Sequence, residues 1–326
     1  MVFEFSPDER FDFLAAFAQH IGTALLDHTV TLPHWLGVGS IRRVRLAPGF
    51  SLLIHQYTLA DELILRRMAA DNTADRVNLL FQASDHGGEQ TDAKDPASTT
   101  HRPDYSVRVT SPDINSELYF PTGRPIVFLV LSMNRAALHD LLRLSRVNGV
   151  VEQILRGTQA FLFYETLSAD AHQLLRTLVA VDTREDLAEL RIWLQVQTLI
   201  CWLFERLLTR DTRHQRPIHR ADADGLSQVR AAVVADLSVP PQLTQLAQSV
   251  GMSTSKLTAL FRQVFGESIY DYYQQARMAE AGRLLRQAGY SVSETGHRLG
   301  FSNLSHFGRL FEKHYGAKPK RFALDR

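Results

Sequence analysis

Short apolar segments separated by turn residues fill the chain between residues 37 and 131. Several of them alternate polar and apolar residues, as strands with one buried face do. They predict seven strands, at residues 41–46, 52–59, 63–68, 77–82, 105–110, 117–120 and 126–131. Seven short strands with Pro and Gly between them are typical of a β-sandwich or a small barrel. The polar residues 84–104, rich in Gly, Asp, Thr and Pro, predict a long surface loop.

Apolar residues at helical spacing flank this β-rich part on both sides. Ser6 and Pro7 suit the first turn of a helix, and an apolar stripe from Phe11 to Leu25 follows them. Beyond the strands, further stripes predict helices at residues 135–146, 169–181 and 183–208. We therefore expect the first part of the chain to be a β-rich domain completed by helices.

The helix predicted at 183–208 is apolar on both sides, and such a helix has to be covered on both. Along one side residues recur at alternating three- and four-residue intervals, which is the seam of a two-helix pack. The residues of this seam are Leu187, Leu190, Leu194, Gln197, Cys201, Phe204 and Leu208. One interpretation is burial of both sides within one domain. The other, which we favour, packs the seam on a second copy of the chain, so that its apolar residues and Cys201 are the predicted dimer contacts.

Two similar helical hairpins, at residues 243–266 and 294–316, lie about 50 residues apart in the C-terminal part. In each, a short helix leads to a glycine, Gly251 or Gly300, and a second helix with one apolar face ends at another glycine. Two helices joined by a tight turn describe a helix-turn-helix, whose second helix can enter the major groove of DNA. The amphipathic residues 269–286 predict one connecting helix between the hairpins.

The distribution of charge supports DNA binding by this C-terminal part. The net charge is +1, but residues 222–326 hold 13 Lys and Arg against 9 Asp and Glu, whereas residues 1–221 hold 23 against 26. A positive excess on the helix-turn-helix units is what phosphate binding needs. No apolar run approaches the roughly 18 residues of a membrane span, and the single cysteine excludes an intrachain disulfide, so we expect a cytoplasmic protein with no membrane partner.

The hairpins resemble the DNA-binding domain of the AraC/XylS family of bacterial transcription regulators. The first carries Gly-Met-Ser at 251–253, and the second carries Gly-Phe-Ser at 300–302 and Ser-His-Phe at 305–307. The connecting helix matches at 272–277. The sequence departs from the family in two pairs. Gly296 and His297 stand where the family usually has Ala and an aromatic residue, and Phe322-Ala323 replaces an aromatic-Arg pair.

Together, the patterns and the resemblance predict an α+β chain of two domains. Residues 1–208 are expected to form an effector-sensing and dimerisation domain, β-rich at 37–131 and helical at 133–208. Its β-rich part is expected to be a sandwich or barrel, cupin-like as in many relatives. Residues 209–221 are the predicted linker, and residues 222–326 the all-α double helix-turn-helix domain.

The resemblance also implies where DNA is contacted. B-form DNA repeats every ~34 Å, so helices near 254–264 and 303–315 can enter successive major grooves. The predicted contacts are Thr254, Ser255, Lys256, Thr258, Ala259 and Arg262 in the first hairpin, and Asn303, Ser305, His306, Arg309 and Lys313 in the second. Arg309 is the best candidate for reading a guanine with two hydrogen bonds. Lys256, Arg262 and Lys313 are expected to hold phosphates.

The family implies three further partners: RNA polymerase, a small-molecule effector and a second copy of the chain. The order of elements in the N-terminal part resembles the pyochelin-regulator-like branch, which makes a ferric siderophore one candidate effector. An anionic effector could be recognised by some of Arg42, Arg43, Arg45, Arg66 and Arg67, although charged outer faces of strands are the commoner explanation.

Enzymatic function finds no support in the sequence. It has no phosphate-binding glycine loop, no nucleophile elbow and no histidine spacing typical of a metal site, so no catalytic residue, metal or cofactor is predicted. We expect a ligand-responsive activator. The alternative is an architectural or adaptor DNA-binding protein without an effector.

Overall fold

The computed structural model of the chain describes residues 1–7, 11–69, 75–82, 106–182, 185–210, 218–286 and 289–324. The chain divides into two compact units, and the division falls between Asp224 and Gly225. Unit 1, on the N-terminal side, contains the strands, and unit 2 is helical. The predicted α+β chain with an N-terminal β-rich part and a C-terminal helical part is therefore confirmed.

Unit 1 is built on two sheets. Its strands are β1 (Val2–Phe5), β2 (Leu25–Leu26), β3 (Thr29–Thr31), β4 (Gly37–Arg45), β5 (Phe50–Leu59), β6 (Leu63–Arg67), β7 (Arg76–Gln82), β8 (Ser106–Thr110), β9 (Ser116–Phe120), β10 (Pro125–Asn134) and β11 (Leu162–Thr166). The small sheet has the order β1–β6–β9, and the large sheet has the order β11–β8–β7–β10–β5–β4–β3–β2. In the large sheet every neighbouring pair is antiparallel.

Within its described residues, unit 1 also contains the helices α1 (Phe13–Ile21), α2 (Arg135–Leu142), α3 (Gly149–Arg156), α4 (Ala169–Val179) and α5 (Ala188–Leu208). Side chains alternate between the two faces of a strand, so the large sheet supports an apolar layer on each side. Leu52 and Ile54 of β5 belong to one core, which also holds residues of α2 to α5. Tyr57 of the same strand belongs to the other core, with Phe17 of α1 and Leu63 of the small sheet.

Unit 2 consists of helices. They are α6 (Arg220–Ala235), which belongs to this unit from Gly225 onwards, α7 (Leu243–Ser249), α8 (Thr254–Phe265), α9 (Ile269–Arg286), α10 (Val292–Arg298), α11 (Leu304–Tyr315) and α12 (Pro319–Leu324). The connecting helix predicted at 269–286 coincides with α9. Among the described residues of the whole chain, no helix combines the length and the apolar character that a membrane span requires.

The seven predicted strands are all present, as β4 to β10. Four further strands were not predicted, namely β1, β2, β3 and β11. Two of them, β2 and β3, have only two and three residues, which is too short for an alternating pattern. The loop predicted at 84–104 and most of the linker predicted at 209–221 lie outside the described residues.

The helix start predicted at Ser6 is wrong. Helix α1 begins at Phe13, and the carboxylate of Asp12 caps it by accepting hydrogen bonds from the backbone N–H groups of Leu14 and Ala15, at 2.9 and 3.2 Å. The residues before Ser6 instead form β1, which pairs in parallel with β6. The capping residue that the fold uses is thus Asp12 and not Ser6.

Other helices also differ from the prediction. Helix α2 ends at Leu142 and not near 146, because Arg143 adopts a left-handed conformation with φ of 44°. Helix α3, capped by Asn148, was not predicted. The long helix begins at Ala188, and its predicted start at Thr183 lies outside the described residues.

Asp12 is expected to make unit 1 sensitive to acid. Arg43 donates two hydrogen bonds to its carboxylate, at 2.6 and 3.0 Å, and these hold the pKa of Asp12 below its ordinary value. A carboxyl whose pKa is lower in the folded state stabilises the protein above its unfolded pKa of about 3.9, and this contribution is lost as the pH falls through the folded pKa. An Asp12→Asn variant keeps an N-cap residue but loses the charge.

We expect Asp12→Asn to lower the free energy of unfolding at pH 7 by no more than about 1 kcal/mol, because the ion pair is partly exposed. The variant should also lose less stability than the wild type as the pH falls below about 4. Urea unfolding between pH 7 and pH 2 measures both effects. Asp140→Asn is the control, because the Asp140 side chain is 85% exposed. The same acid response in the Asp12 and Asp140 variants would contradict the expectation.

Candidate nucleic-acid interface

Helix α9 lies between the two helix-turn-helix units and contacts helices of both. Its buried residues are Ile269, Tyr273, Arg277, Met278, Ala281, Gly282, Leu284 and Leu285. The Tyr273 hydroxyl, which is completely buried, donates to the backbone carbonyl of Leu237 at 3.0 Å. Helix α6 itself is joined to α9, since the Arg230 guanidinium donates to the Tyr272 hydroxyl at 2.8 Å. Both helix-turn-helix units are therefore assembled on one central helix.

The first helix-turn-helix unit consists of α7, a turn at Gly251 and α8. Ser253 caps α8 by accepting a hydrogen bond from the backbone N–H of Lys256, at 3.2 Å. At its other end, Gly266 adopts φ of 79° and closes the helix. These are the cap residues that the sequence pattern requires, an N-terminal Ser and a C-terminal Gly.

The second unit repeats this arrangement with α10, a turn at Gly300 and α11. A capping box starts α10: the backbone N–H of Glu294 donates to the Ser291 hydroxyl at 3.2 Å, and the backbone N–H of Ser291 donates to the Glu294 carboxylate at 2.9 Å. Asn303, and not Ser302, caps α11 by accepting from the backbone N–H of His306 at 3.1 Å. Because Ser302 corresponds to Ser253 in sequence, α11 starts one residue later in its unit than α8 does.

The second helices of both units have a buried face and an exposed face. The residues on the buried faces are Leu257, Leu260, Phe261, Val264 and Phe265 of α8, and Phe307 and Phe311 of α11. Nine of the eleven predicted DNA contacts are exposed, namely Thr254, Ser255, Thr258, Arg262, Asn303, Ser305, His306, Arg309 and Lys313. The other two, Lys256 and Ala259, are partly exposed. The structure therefore places all eleven on the outer faces or at the N-caps of the two helices.

The donors on the outer faces of α8 and α11 differ in whether they are already engaged. On α8 the Thr258 hydroxyl bonds back to the Thr254 carbonyl at 2.8 Å, and Ala259 has no donor in its side chain. On α11 the His306 ring lies edge-on to Phe301, with ring centroids 6.0 Å apart. Within the described part of the chain, no hydrogen bond or ion pair engages the side chains of Ser305 and Arg309. These donors are available to an external acceptor.

One buried arginine of α9 holds the second turn in place. Arg277 is 5% exposed, and its guanidinium donates to the backbone carbonyl of Leu299. The same guanidinium lies over the Phe301 ring, 3.7 Å from its centroid. Leu299 and Phe301 flank Gly300, so a single side chain fixes both sides of the turn. Burial lowers the pKa of Arg277 below its ordinary value.

Residues 272–277 are part of the predicted resemblance, but the sequence alone assigned no role to Arg277. A signal was present, because an arginine at position 277 falls on the otherwise apolar buried face of α9. A charged residue on such a face is almost never left buried without partners. The partners themselves, Leu299 and Phe301, could not be identified without the tertiary contacts.

The departures from the family pattern are accommodated by neighbouring side chains. A Cβ atom at Gly296 would lie 2.5 Å from Leu304 Cδ2, so this glycine leaves room for the leucine at the start of α11. The Phe322 ring packs against Phe311 and Tyr315, with centroids 5.1 and 4.4 Å apart, and the Arg286 guanidinium covers it at 3.7 Å. Gly296 and Phe322 are thus both in close contact with neighbouring side chains of the second unit.

In unit 1, the residues predicted as dimer contacts fall into two groups. Leu187, Leu190 and Leu194 are 68, 51 and 56% exposed, and Cys201 is also exposed. Phe204, in contrast, is 2% exposed and belongs to the core beside the large sheet, and Leu208 packs against that core. The prediction that these last two residues form part of an outer seam is therefore corrected. In the last two turns of α5, these two positions therefore face the core.

A second candidate site is a cavity of about 190 Å³ in unit 1, lined by residues of both sheets. Of the five arginines considered from the sequence, Arg43 and Arg67 line it. Arg66, the neighbour of Arg67 on β6, instead pairs with Glu4 and Glu117. Within the described residues, no cluster of His, Cys, Asp and Glu is arranged to hold a metal ion.

Comparison with known proteins places the helix-turn-helix units in a family context. Residues 246–324 match the protein-family model described as a helix-turn-helix domain. The regulatory protein PchR of Pseudomonas aeruginosa is 29% identical over 178 residues, 53% of this chain and 58% of that protein. This match is longer than residues 222–326 and therefore includes residues before them. The arabinose operon regulatory protein of Escherichia coli is 34% identical over 80 residues, 24% of this chain and 27% of that protein.

Among solved structures, a transcriptional regulator of Chromobacterium violaceum with an AraC-type DNA-binding domain is 26% identical, with a TM-score of 0.30. The match covers 32% of this chain and 95% of that one. The chain spans less than two thirds of the length of PchR and about a quarter of the arabinose regulator. Residues 246–324 of this chain are a helix-turn-helix domain, as the sequence predicted, and the chain is similar to the regulators named above.

The two turn glycines are expected to tolerate substitution very differently. Both adopt positive φ, 64° at Gly251 and 74° at Gly300. A Cβ atom at Gly300 would lie 1.9 Å from the backbone oxygen of Ser238, whereas no atom lies within 4 Å of one at Gly251. Gly251→Ala should therefore lower the free energy of unfolding only by the cost of an alanine in the left-handed conformation, about 1–2 kcal/mol. Gly300→Ala must also displace a backbone segment, and we expect a loss of about 3 kcal/mol or more.

Chemical unfolding of the two variants measures this difference, with the wild type as reference. Retained helical circular dichroism at low denaturant would show that both variants still fold. Equal losses of stability at the two glycines would contradict the close contact between the second turn and Ser238.

Proposed function

We propose that this chain, whose residues 246–324 match a helix-turn-helix domain, is a sequence-specific transcriptional regulator of the AraC/XylS type that responds to a small molecule. One observation carries the DNA-binding part of the proposal. Helices α8 and α11 bury their apolar faces against the same unit and expose every residue predicted to contact DNA, in full or in part. A recognition helix needs this division, because the inner face fixes its position while the outer face reaches the groove.

The two units are proposed to enter successive major grooves of one DNA duplex. Helix α9 has 18 residues, which corresponds to a length of about 27 Å. The major groove recurs every ~34 Å along one face of the duplex, so a rigid element of this length is suited to set the spacing. Because α9 contacts helices of both units, that spacing is built into the protein before DNA is bound.

Sequence reading is proposed to depend more on α11 than on α8. Arg309 can donate two hydrogen bonds to guanine O6 and N7, which discriminates against other bases by roughly 1–3 kcal/mol. Ser305 and His306 lie on the same exposed face and offer shorter-range donors. On α8, Ser255 and Thr258 have short side chains. Lys256, Arg262 and Lys313 are proposed to hold phosphates, which orient the protein without selecting a sequence.

The regulatory input is proposed to reside in unit 1. The cavity between the two sheets supplies a place for an effector, as sheet-lined clefts commonly do. We further propose that the chain acts as an activator in the cytoplasm, in contact with RNA polymerase, and without an enzymatic activity of its own. A footprint of the purified protein on genomic DNA tests the central claim. A few sharp sites support a specific regulator, and diffuse coverage at all salt concentrations supports the architectural alternative.

The Arg309→Ala variant should bind a selected operator about tenfold more weakly or worse, with relaxed preference at one base pair. Its matched control is Lys313→Ala, a change on the same helix at a proposed phosphate contact. This control should weaken binding to all sequences by a similar factor and reduce the salt dependence by about one unit. Fluorescence anisotropy at several salt concentrations, on the operator and on single-base variants, separates the two effects. Unchanged operator binding by Arg309→Ala would exclude this assignment of the second unit.

The exposed part of the seam on α5 is proposed to form a homodimer contact. Leucine side chains at 187, 190 and 194 leave an apolar stripe on the surface of unit 1, which a second copy would cover. A Leu190→Arg change should shift the protein to the monomer, because a buried charge in an apolar contact is costly, while helix propensity is hardly altered. Leu26→Arg is the control, since Leu26 is 69% exposed on β2 and is not part of this stripe. Sedimentation velocity measures both, and a dimer that persists in Leu190→Arg would rule out this contact.

A further inference from the structure

Helix α6 and the residues that follow it contact the turns of both helix-turn-helix units. Gly225 of α6 lies against the first turn, since a Cβ atom there would be 3.2 Å from Val250 Cβ and 3.1 Å from Met252 Cε. These two residues flank the glycine of that turn. Residues 236–238 come directly after α6 and reach the second turn. One stretch of chain, residues 225–238, therefore touches both turns and is called the α6 segment below.

At the second turn the contact is between two main chains. Three backbone atoms of Ser238 lie within 3.0 Å of the place that a Cβ atom of Gly300 would take, so only a glycine leaves room for this approach. The Asp236 carboxylate accepts hydrogen bonds from the backbone N–H and the hydroxyl of Ser238, at 2.8 and 2.6 Å. These bonds fix the conformation of the end of the α6 segment that meets Gly300.

The Tyr273 hydroxyl holds the same end of the α6 segment to helix α9. It donates to the backbone carbonyl of Leu237 at 3.0 Å, and both residues are fully buried. The Arg277 guanidinium lies over the Tyr273 ring, 5.0 Å from its centroid, and also donates to the Leu299 carbonyl and covers the Phe301 ring. A continuous set of contacts therefore runs from Leu237 through Tyr273 and Arg277 to both sides of the second turn.

The middle of the α6 segment is also fixed. Arg230 is 6% exposed, and its guanidinium donates to the hydroxyl of Tyr272, the neighbour of Tyr273 on α9. Leucine and valine side chains at 226, 229 and 233 recur at helical spacing and are buried, so α6 packs one apolar face into unit 2. The α6 segment is thus held along its length and not only at its two ends.

We propose that the α6 segment fixes the orientation of the two recognition helices relative to each other, and that the Tyr273 hydroxyl is the positioning group that holds it at the second turn. A second connection between the two turns removes rotation that α9 alone would leave. Two successive grooves of one duplex accept only one relative orientation of the helices. An orientation that is fixed before binding does not have to be fixed on binding, and this raises the affinity. The inference rests on the proposed DNA binding through two grooves, and it adds a residue that does not itself touch DNA.

A positioning role and a merely stabilising role of this hydroxyl have different consequences. A stabilising hydroxyl changes the folded fraction, so its loss affects binding to one groove and to two grooves by the same factor. A positioning hydroxyl affects only binding that engages both units, because each unit keeps its own caps and apolar face. Comparison of intact and half operators therefore separates the two roles.

Tyr273→Phe removes the hydroxyl and keeps the ring beside Arg277. The full chain is titrated by fluorescence anisotropy with a duplex that the wild type selects from randomised DNA, and with two duplexes in which one or the other half-site is scrambled. We expect the variant to bind the intact duplex about fivefold more weakly or worse, and each half-site as the wild type does. Tyr270→Phe is the matched control, because it makes the same change one turn earlier on α9, at a hydroxyl that bonds to Gln274 of the same helix. This control should bind all three duplexes as the wild type does.

The spacing of the half-sites provides a second readout. One inserted base pair moves the second groove by about 3.4 Å and rotates it by about 34°. The insertion should weaken binding of the wild type about tenfold or more, and it should weaken binding of Tyr273→Phe less, because less firmly held units adapt to the new spacing. Wild-type affinities of Tyr273→Phe on every duplex, or a loss by one common factor on all of them, would overturn the positioning role. A wild-type protein that prefers none of the duplexes would instead contradict the proposed function itself.

Amide hydrogen exchange tests the same contact without DNA. In the second turn, the backbone N–H groups of Gly300 and Phe301 donate to carbonyls of α10, each at 2.9 Å. The corresponding N–H groups of the first turn, those of Gly251 and Met252, donate to carbonyls of α7 at 3.2 and 2.9 Å. In Tyr273→Phe, exchange should be about fivefold faster at the second turn and unchanged at the first. Equal acceleration at both turns would show a general loss of stability and overturn the proposal, whatever the DNA titrations give.

Discussion

The burial of a charged side chain in the middle of unit 2 determines much of its architecture. Arg277 is placed on the apolar face of α9, where its charge is stable only while partners surround it. Those partners are the last carbonyl of α10 and the aromatic ring that opens the next turn. The position of α11 follows from this turn, so the outer face that is proposed to read DNA depends on a contact in the interior. The cap residues and the packed rings then keep α11 in that position.

In unit 1, the two faces of the large sheet lie in different environments. The face towards α2 to α5 carries an apolar core to which all four helices contribute. The opposite face mixes an apolar row with arginines, a histidine and hydroxyl groups. Such a mixture on a mostly buried surface weakens a fold unless something pairs with the polar groups. We interpret this face as shaped by binding and the helix-facing side as shaped by packing.

The structure could be predicted from the sequence where the local pattern of apolar residues agrees with their burial in the fold. The seven strands from β4 to β10 alternate visibly, and α9 is amphipathic over its whole length, so both were predicted. The outer faces of α8 and α11 followed directly once the apolar faces were identified. The prediction failed where long-range contacts decide. Parallel pairing with β6 makes residues 2–5 a strand in spite of the helix signal at Ser6. On α5 both sides are apolar, and the periodicity alone could not tell that Phe204 faces the core. The contact between Gly300 and Ser238 joins two turns that share no sequence signal.

Strand β5 lies between the cavity of unit 1 and helix α5, so that only its backbone separates side chains of the two. Leu53 and His55 line the cavity, while Phe50 on the same strand packs against Trp193 of α5, with ring centroids 4.9 Å apart. Trp193 is the immediate neighbour of the exposed Leu194. A close-packed interior transmits small displacements instead of absorbing them. Any displacement of β5 caused by the contents of the cavity is therefore transmitted to the surface of α5 through a single layer of side chains. Strand β5 thus connects the interior of the unit to its exterior.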